Sequence, residues 1–518
     1  ANEINVIGHY LGQLAAQDRR ARDIPLSEIR RILVEATACL PVYRTYLRGF
    51  GVDQRDRDLI EATLALARAR TSRDAVSDAA FEFMGRVLLV EPPYYARAHR
   101  SHWLDVVMRW QQFSGPVMAK GLEDSAFYSY NALLSLNEVG GDPLRNHPPV
   151  NAFDLHGFHA DRLRDWPGTM NCTSTHDTKR SEDVRARLNV LTQMPGDYQA
   201  AISRWMAANE SKRTRLAGHV APTPSEEILI YQSLLGAWPI NDEELPEFQE
   251  RFQTYLRKCA REAKEHTSWI QPHEAHESAL ANFVDALFDS KRGKAFCDDF
   301  LPLQRTLAFY GAINSLSQVL LKTTAPGVPD FYQGMELWDF SLVDPDNRRP
   351  VDFRLRMKLL EELRHAEAAD AGALARTLSG NWRDGRIKLY TTAKTLEFRR
   401  AHANLFARGE YVRLIAHGPN AANVFAFARR WNGEWCLVLA PLHLLGVLPQ
   451  GESLASESLW EGTAISLPEG APQVWKHEFT GETVDLKSSP GDPGRLPVSR
   501  VLGAFPVALP TCCVPAPE

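Results

Sequence analysis

Six ionisable side chains fall within eight positions of the stretch THDTKRSED: His176, Asp177, Lys179, Arg180, Glu182 and Asp183. They follow GTMNCTS (168–174), a small, Gly-bounded segment that reads as a short buried strand. Polar loops leaving strands are where β/α barrels keep their chemistry. Ser181 suits a helix N-cap, and Glu182 and Asp183 suit its first turn, where negative charge is favoured. Val184, Leu188 and Leu191 would form the buried stripe. Helix construction therefore accounts for Ser181 onward, and Glu182 and Asp183 serve equally as helix-start devices or as site groups. It does not account for His176-Asp177-Thr178-Lys179-Arg180. Spacing alone leaves those five as either the mouth of an active site or a solvated loop.

Two more segments carry groups of this kind. In MAKGLEDSAFY (118–128), Lys120 stands at the exit of the strand-like GPVMAKG, beside Glu123, Asp124 and Tyr128. A lysine between carboxylates can hold a polar substrate by hydrogen bonds, or simply be surface. In DFYQGMELWDF (330–340), Tyr332, Gln333, Glu336 and Trp338 offer the stacking faces and hydrogen-bonding edges that polyhydroxylated ligands need. The plain alternative is a loop with packed aromatics. Asp344, Asp346, Asn347 and Arg348 read more readily as a structural turn network. Met118, Phe331, Trp103 and Trp110 read as core, and KCAREAKEH as a solvated helix face. No Walker loop, GxGxxG, HExxH or GxSxG occurs.

The elements that must position these groups follow from periodicity and composition. With 518 residues, 44% hydrophobic and 24% charged, two to four globular domains are expected. A net charge of −5, from 59 basic and 64 acidic residues, gives no support for a nucleic-acid or membrane-surface partner. No apolar run is long enough to suggest a membrane helix. The seven cysteines are scattered, without CxxC or metal-ligand spacing, and no signal-like leader is seen. These features point to a cytoplasmic protein, and none of them marks a metal or organic cofactor. Residues 1–110 look mostly helical, interrupted by the strand-like PVYRTYL (41–47). Residues 111–195 carry short strands and polar exits, including the His-Asp pair, and 196–322 return to long amphipathic helices. Residues 323–404 hold a short strand at 328–332 and closing helices near 354–367 and 390–401. From 405 to 518 the pattern is antiparallel β, with Asn432-Gly433 between alternating runs as a hairpin signal.

Taken together, TSTHDTKRSEDVRARL, GPVMAKGLEDSAFY…SLNEVGGDP and PGVPDFYQGMELWDFSLVDPDNRRPVDF resemble the maltooligosyl trehalose synthases, of the α-amylase superfamily (glycoside hydrolase family 13). INVIGHYLGQLAAQDRRARDIPLSEIRRIL, CLPVYRTY, LIYQSLLGAWP and KCAREAKEHTSW support the likeness, which spans almost the whole chain. The resemblance implies an α/β fold: the C-terminal part of a (β/α)8 TIM-type barrel with large helical insertions, then an antiparallel β-sandwich-like domain. It implies conversion of the reducing-end α-1,4 linkage of a maltooligosaccharide to an α,α-1,1 linkage, with retained configuration. His176-Asp177 matches the superfamily's seventh-strand motif. Asp177 would be the carboxylate that stabilises the transition state, with His176 at the same sugar. Lys179, Arg180, Lys120, Glu123, Asp124, Tyr332, Gln333 and Glu336 would bind substrate.

The superfamily's nucleophile, in a GxRxD-like motif, and its acid Glu both precede that pair, and neither is matched in residues 1–175. FHADRLRD (158–165) has a passing likeness but lies on a predicted helix. The expectation is therefore a C-terminal portion, with both groups upstream of Ala1, inactive and aggregation-prone when expressed alone. A trehalohydrolase acting on the product is the partner implied by the family. A hydrolase of the same superfamily, or a noncatalytic glycan-binding fragment, are the alternative readings.

Overall fold

Apolar residues three and four apart give α-helices at Asn2–Gln17, Leu26–Cys39, Gln54–Arg70, Asp78–Leu88 and Arg100–Met118. The computed structural model describes residues 2–72, 75–141, 143, 150–451, 453–486 and 494–512. Asp142 of the SLNEVGGDP segment and the tail 513–518 lie outside the described residues. The chain forms two compact units, Ala1–Ser129 and Tyr130–Glu518.

In the first unit, Asp53 and Ser77 cap their helices by accepting from the backbone N–H of Asp56 and Ala80. Ile7, Leu11, Ile32, Leu33, Met84, Trp103 and Trp110 share one core, and the Trp110 indole N–H donates to Thr37 Oγ1 at 3.0 Å. Two expectations fail here. PVYRTYL is not a strand. Side chains meet part of its backbone instead: the Gln111 amide accepts from Leu47 N–H at 2.7 Å and donates to Leu47 O at 3.0 Å, and Ser114 Oγ donates to Tyr43 O at 2.9 Å. GPVMAKG is not a strand either. It ends the helix Arg100–Met118, with Pro116 inside, and continues into the π-helical turn Ala119–Ala126. Short apolar runs have no period that separates strand from helix.

In the second unit the helix Ala152–Asp165 leads into the first of four short strands: β1 (Met170–Asn171), the antiparallel hairpin β2 (Thr214–Leu216) and β3 (His219–Ala221), and β4 (Val328–Pro329). β1 and β4 pair in parallel, Met170 against Val328 and Asn171 against Pro329. Gly327, at φ 116°, makes that pairing possible. A Cβ there would stand 2.6 Å from Thr169 O and 2.7 Å from Asn171 Oδ1. Between β1 and β4 come helices Glu182–Asn189, Pro195–Asn209, Pro224–Ala237, Leu245–Ala263, Glu274–Phe288 and the 31-residue Lys294–Thr324. Helices Phe353–Gly380, kinked at Asp370, and Arg386–Ala401 follow β4. No helix among the described residues is long and apolar enough to cross a membrane.

The C-terminal region is antiparallel β. It contains β5 (Glu410–Arg413), β6 (Ile415–His417), β7 (Val424–Trp431), β8 (Glu434–Pro441), β9 (Ala464–Ser466), β10 (Val474–His477), β11 (Thr483–Asp485), β12 (Arg495–Pro497) and β13 (Pro510–Cys512). One sheet has the order β11-β10-β13-β8-β7-β5 and the other β12-β9-β6. β7 and β8 meet at Asn432 (φ 46°) and Gly433 (φ 84°), the positive-φ pair of a type I′ turn.

His477 adds a pH dependence to this region. Its Nε2 lies 2.9 Å from the Val501 carbonyl, and its Nδ1 accepts from Phe479 N–H at 3.1 Å, which fixes the neutral Nε2–H tautomer. Burial lowers its pKa to about 4. The unfolded chain takes up a proton below its ordinary pKa of 6.5 while the folded chain does not. Stability is therefore fully present above that pH and falls as pH drops toward 4. Between pH 7 and 4, the unmodified chain is expected to lose about 3 kcal/mol more stability in urea unfolding than His477→Gln. Equal losses would refute this assignment.

Candidate active site

The loop from Thr173 to Ser181 leaves the C-terminal end of β1 and enters the helix Glu182–Asn189. Ser181 caps that helix, its side chain accepting from Val184 N–H, and Val184, Leu188 and Leu191 are buried as the spacing predicts. His176 is exposed, and the Asp177 side chain keeps 48% of its surface. The loop backbone is held from several directions. Thr178 Oγ1 donates to Thr175 O at 3.0 Å, and Asp177 N–H donates to Thr175 Oγ1 at 3.2 Å. The Glu138 carboxylate accepts from Lys179 N–H at 2.9 Å and Arg180 N–H at 3.3 Å. Asn347 Nδ2 and Arg348 Nε donate to His176 O at 3.3 and 3.2 Å. Tyr332 OH donates to Asn347 O at 3.0 Å. The segment after β4 is thus the wall against which the His-Asp loop is set.

The Lys179 side chain is almost wholly buried and brings its ammonium to 3.8 Å from Asp177 Oδ1. Arg180 is fully buried, and its Nη2 donates to Tyr255 OH at 3.0 Å. That placement does not suit the hold on a mobile sugar expected of Arg180; its guanidinium packs the loop down instead. Asp346 accepts from Arg251 at 2.8 Å and from Leu342 N–H at 2.8 Å, and Lys258 donates to Asp344. The DPDNRRP turn is a structural network, as its composition suggests. Glu336 accepts from Arg356 Nε at 2.8 Å, while Gln333 is exposed.

Lys120, Glu123 and Asp124 lie in the first unit, on the π-helical turn rather than at a strand exit. Lys120 pairs with Asp124 one turn along, and Glu123 is buried, accepting from Tyr43 OH.

Glu182 and Asp183 are neither solvated helix-start groups nor at the loop's mouth. Both are buried on the Lys388 ammonium, at 2.9 Å from Glu182 and 2.8 Å from Asp183. Lys322 adds a contact of 3.1 Å to Glu182, and Asp183 accepts from Asp339 N–H at 2.8 Å. Burial pushes the Glu182 carboxyl up, but Lys388 and Lys322 outweigh it and hold it low. Burial dominates at Asp183, whose pKa is raised. Burial likewise disfavours the Lys388 charge, but the two carboxylates outweigh it and raise its pKa. This network ties the helix after the loop to helices Lys294–Thr324 and Arg386–Ala401.

Comparisons with known proteins bear on this arrangement. No family model matches the chain. A Mycobacterium tuberculosis protein named as a maltooligosyl trehalose synthase is 35% identical over 407 residues, 78% of this chain. The structure of maltooligosyltrehalose synthase from Arthrobacter ramosus superposes with a TM-score of 0.72 at 31% identity, over 98% of this chain and 56% of that one. A Sulfolobus tokodaii structure titled as a maltooligosyl trehalose synthase gives 0.64 at 25% identity, over 98% and 58%.

The chain is homologous to the maltooligosyl trehalose synthases.

It spans about half the length of the synthases it matches, covering 45% of the Mycobacterium protein. Within the synthase likeness, the resemblance singled out the His-Asp loop but missed Glu138 as one of its supports. SLNEVGGDP lies some forty residues earlier, and a carboxylate accepting from loop amides leaves no local pattern.

Proposed function

We propose that this chain supplies the seventh- and eighth-strand part of a trehalose-forming transglucosylase, with β1 and β4 as neighbouring strands of a (β/α)8 barrel and the C-terminal sheets as a β sandwich. The observation that carries the reading is the half-exposed Asp177 carboxylate. It stands on a braced loop at the C-terminal end of a parallel strand, with the Lys179 ammonium 3.8 Å away. That is where barrel enzymes place reacting groups. In the reaction, an acid protonates the O4 of the reducing-end glucose as a carboxylate nucleophile takes the glycosyl unit. Asp177 stabilises the positive charge at the anomeric carbon, and His176 binds the same sugar. The released glucose turns and attacks through its anomeric hydroxyl, whose proton passes to the deprotonated acid; the bond to the nucleophile breaks, both groups are restored and the α,α-1,1 bond closes. Water must be excluded meanwhile; Tyr332 stands on the exit after β4 that retains the glucose, and the buried Lys179 acts there through the Asp177 carboxylate 3.8 Å away.

The substrate is a maltooligosaccharide, and the product is what a trehalohydrolase consumes. The setting is cytoplasmic. No residue of this chain matches the nucleophile or the acid, so the chain alone is inactive. Incubated with maltopentaose, the 518-residue chain is expected to leave the reducing ends intact; trehalose-ended product from it would overturn the reading. In protein that also carries the nucleophile and acid, Lys179→Ala is expected to raise free glucose relative to trehalose-ended product. An unchanged ratio would remove Lys179 from the site.

A further inference from the structure

Four imidazoles meet in the second unit at the β2–β3 hairpin. His219 stands on β3, His266 and His273 on the connection between helices Leu245–Ala263 and Glu274–Phe288, and His276 in the first turn of the latter. The His219 ring stacks on His266 at 4.3 Å and 5°. The His276 ring centre lies 5.2 Å from His219 and 4.9 Å from His266, and His273 lies 6.3 Å from His219. A chain of bonds runs through the group. Glu226 accepts from Thr223 N–H at 2.7 Å and faces His276 Nε2 at 2.8 Å. Burial raises the Glu226 pKa, but these bonds outweigh it and lower it, so the ionised carboxylate takes the His276 Nε2 proton. His276 Nδ1 is then an acceptor, and His219 Nε2–H donates to it at 3.0 Å. His273 Nδ1 accepts from His276 N–H at 3.0 Å.

The hairpin has little else to hold it. Within Thr214–Ala221, Ala221 alone is buried. The His219–His276 bond is the one side-chain hydrogen bond from that segment to another element among the described residues. A two-stranded hairpin by itself is at best marginally stable in water. The carboxylate bonded to the imidazoles is Glu226. Nearby, Glu227 is paired with Arg213, Glu277 with Arg261 and Arg257, and Glu262 accepts from the Trp269 indole. Lys264, Glu265 and Glu274 are exposed, as is Arg215 on the hairpin. Among the described residues, no three His, Cys, Asp or Glu side chains are placed to hold a metal ion. Like charges a few ångströms apart disfavour each other's charged form. Burial first, then His266, His276 and His273, lower the His219 pKa below its ordinary 6.5, against a smaller upward pull from Glu226. Detached from the group, His219 regains its ordinary value. Below that pH the open hairpin therefore binds more protons than the closed one. Closure is fully present above it and is lost as pH falls.

We infer that this cluster is an acid-released latch: with its imidazoles neutral it holds the β2–β3 hairpin on helix Glu274–Phe288, and with them protonated it lets the hairpin go. The latch is a property of the chain itself and does not depend on the transglucosylase reading, so either can fail alone. The test is hydrogen–deuterium exchange of the 518-residue chain, corrected for the intrinsic pH dependence of exchange. Protection of residues 214–221 is expected to fall ~10-fold or more between pH 7.5 and 5.5, while helix Pro224–Ala237 keeps its protection. His219→Gln, which can still donate to His276 but cannot become charged, is expected to remove most of that fall. His266→Gln, which takes away the stacked cation, is expected to shift the fall to lower pH, and it decides the matter if His219→Gln loosens the hairpin at both pH values. Equal protection of the unmodified hairpin at the two pH values, an unchanged fall in His266→Gln, or a parallel fall in helix Pro224–Ala237 would each overturn the inference.

Discussion

Asp177→Asn, made in protein that also carries the nucleophile and the acid, is expected to lower kcat by about 10²–10³, equivalent to roughly 3–4 kcal/mol of transition-state stabilisation. The substitution keeps the shape and the hydrogen-bonding edge and removes only the charge. Positive charge grows at the anomeric carbon on the way to the transition state, so an uncharged amide loses an interaction that the ground state does not have, and KM should change little. Folding should change little as well, because the side chain is half exposed and meets Lys179 only at 3.8 Å. Rate by trehalose-product analysis and melting temperature by calorimetry check the two halves. A loss below tenfold would remove Asp177 from the chemistry, and a matching fall in melting temperature would make the effect structural.

Lys388→Met is expected to destabilise this chain by about 3–5 kcal/mol, read as a lowered urea midpoint. The methionine retains the apolar stem, so the packing of Arg386–Ala401 is conserved. What is lost is the single ammonium that both Glu182 and Asp183 contact, at 2.9 and 2.8 Å, in a site where Lys388 has no exposed surface. Lys322 would still face Glu182 at 3.1 Å, which leaves Asp183 as the stranded charge. Asp183→Asn added to Lys388→Met should therefore recover part of the loss. A single-variant effect under 1 kcal/mol, or no recovery in the pair, would show that the network does not carry the brace between these helices.

Much of the secondary structure was readable because its determinants are local. Ile29, Ile32 and Leu33 mark a helix by spacing alone, Ser181 marks the start of another, and Asn432-Gly433 marks a type I′ hairpin because few other residues tolerate two positive φ values. GPVMAKG and PVYRTYL defeated the same reasoning. Both are short and apolar, and whether such a run becomes strand or helix depends on whether a partner strand is present to pair with it. The first continued a helix, and the second formed no ladder, its Tyr43 and Leu47 backbone groups being met by Ser114 and Gln111.

For the site, the sequence by itself singled out a His-Asp pair placed after a strand and before a capped helix, inside motifs long enough to resemble one family. Only the tertiary structure decided what each neighbour does. Lys179 and Arg180 are adjacent to Asp177 in the chain, yet both are buried beneath it. Glu138 and Asn347 are distant in the chain, yet they hold its backbone. Asp183 meets a lysine 205 positions away. The reason is physical. Backbone period and turn chemistry are set by neighbours a few residues apart, whereas the burial of a charge is tolerable only where a distant opposite charge or hydrogen-bond partner is delivered to it.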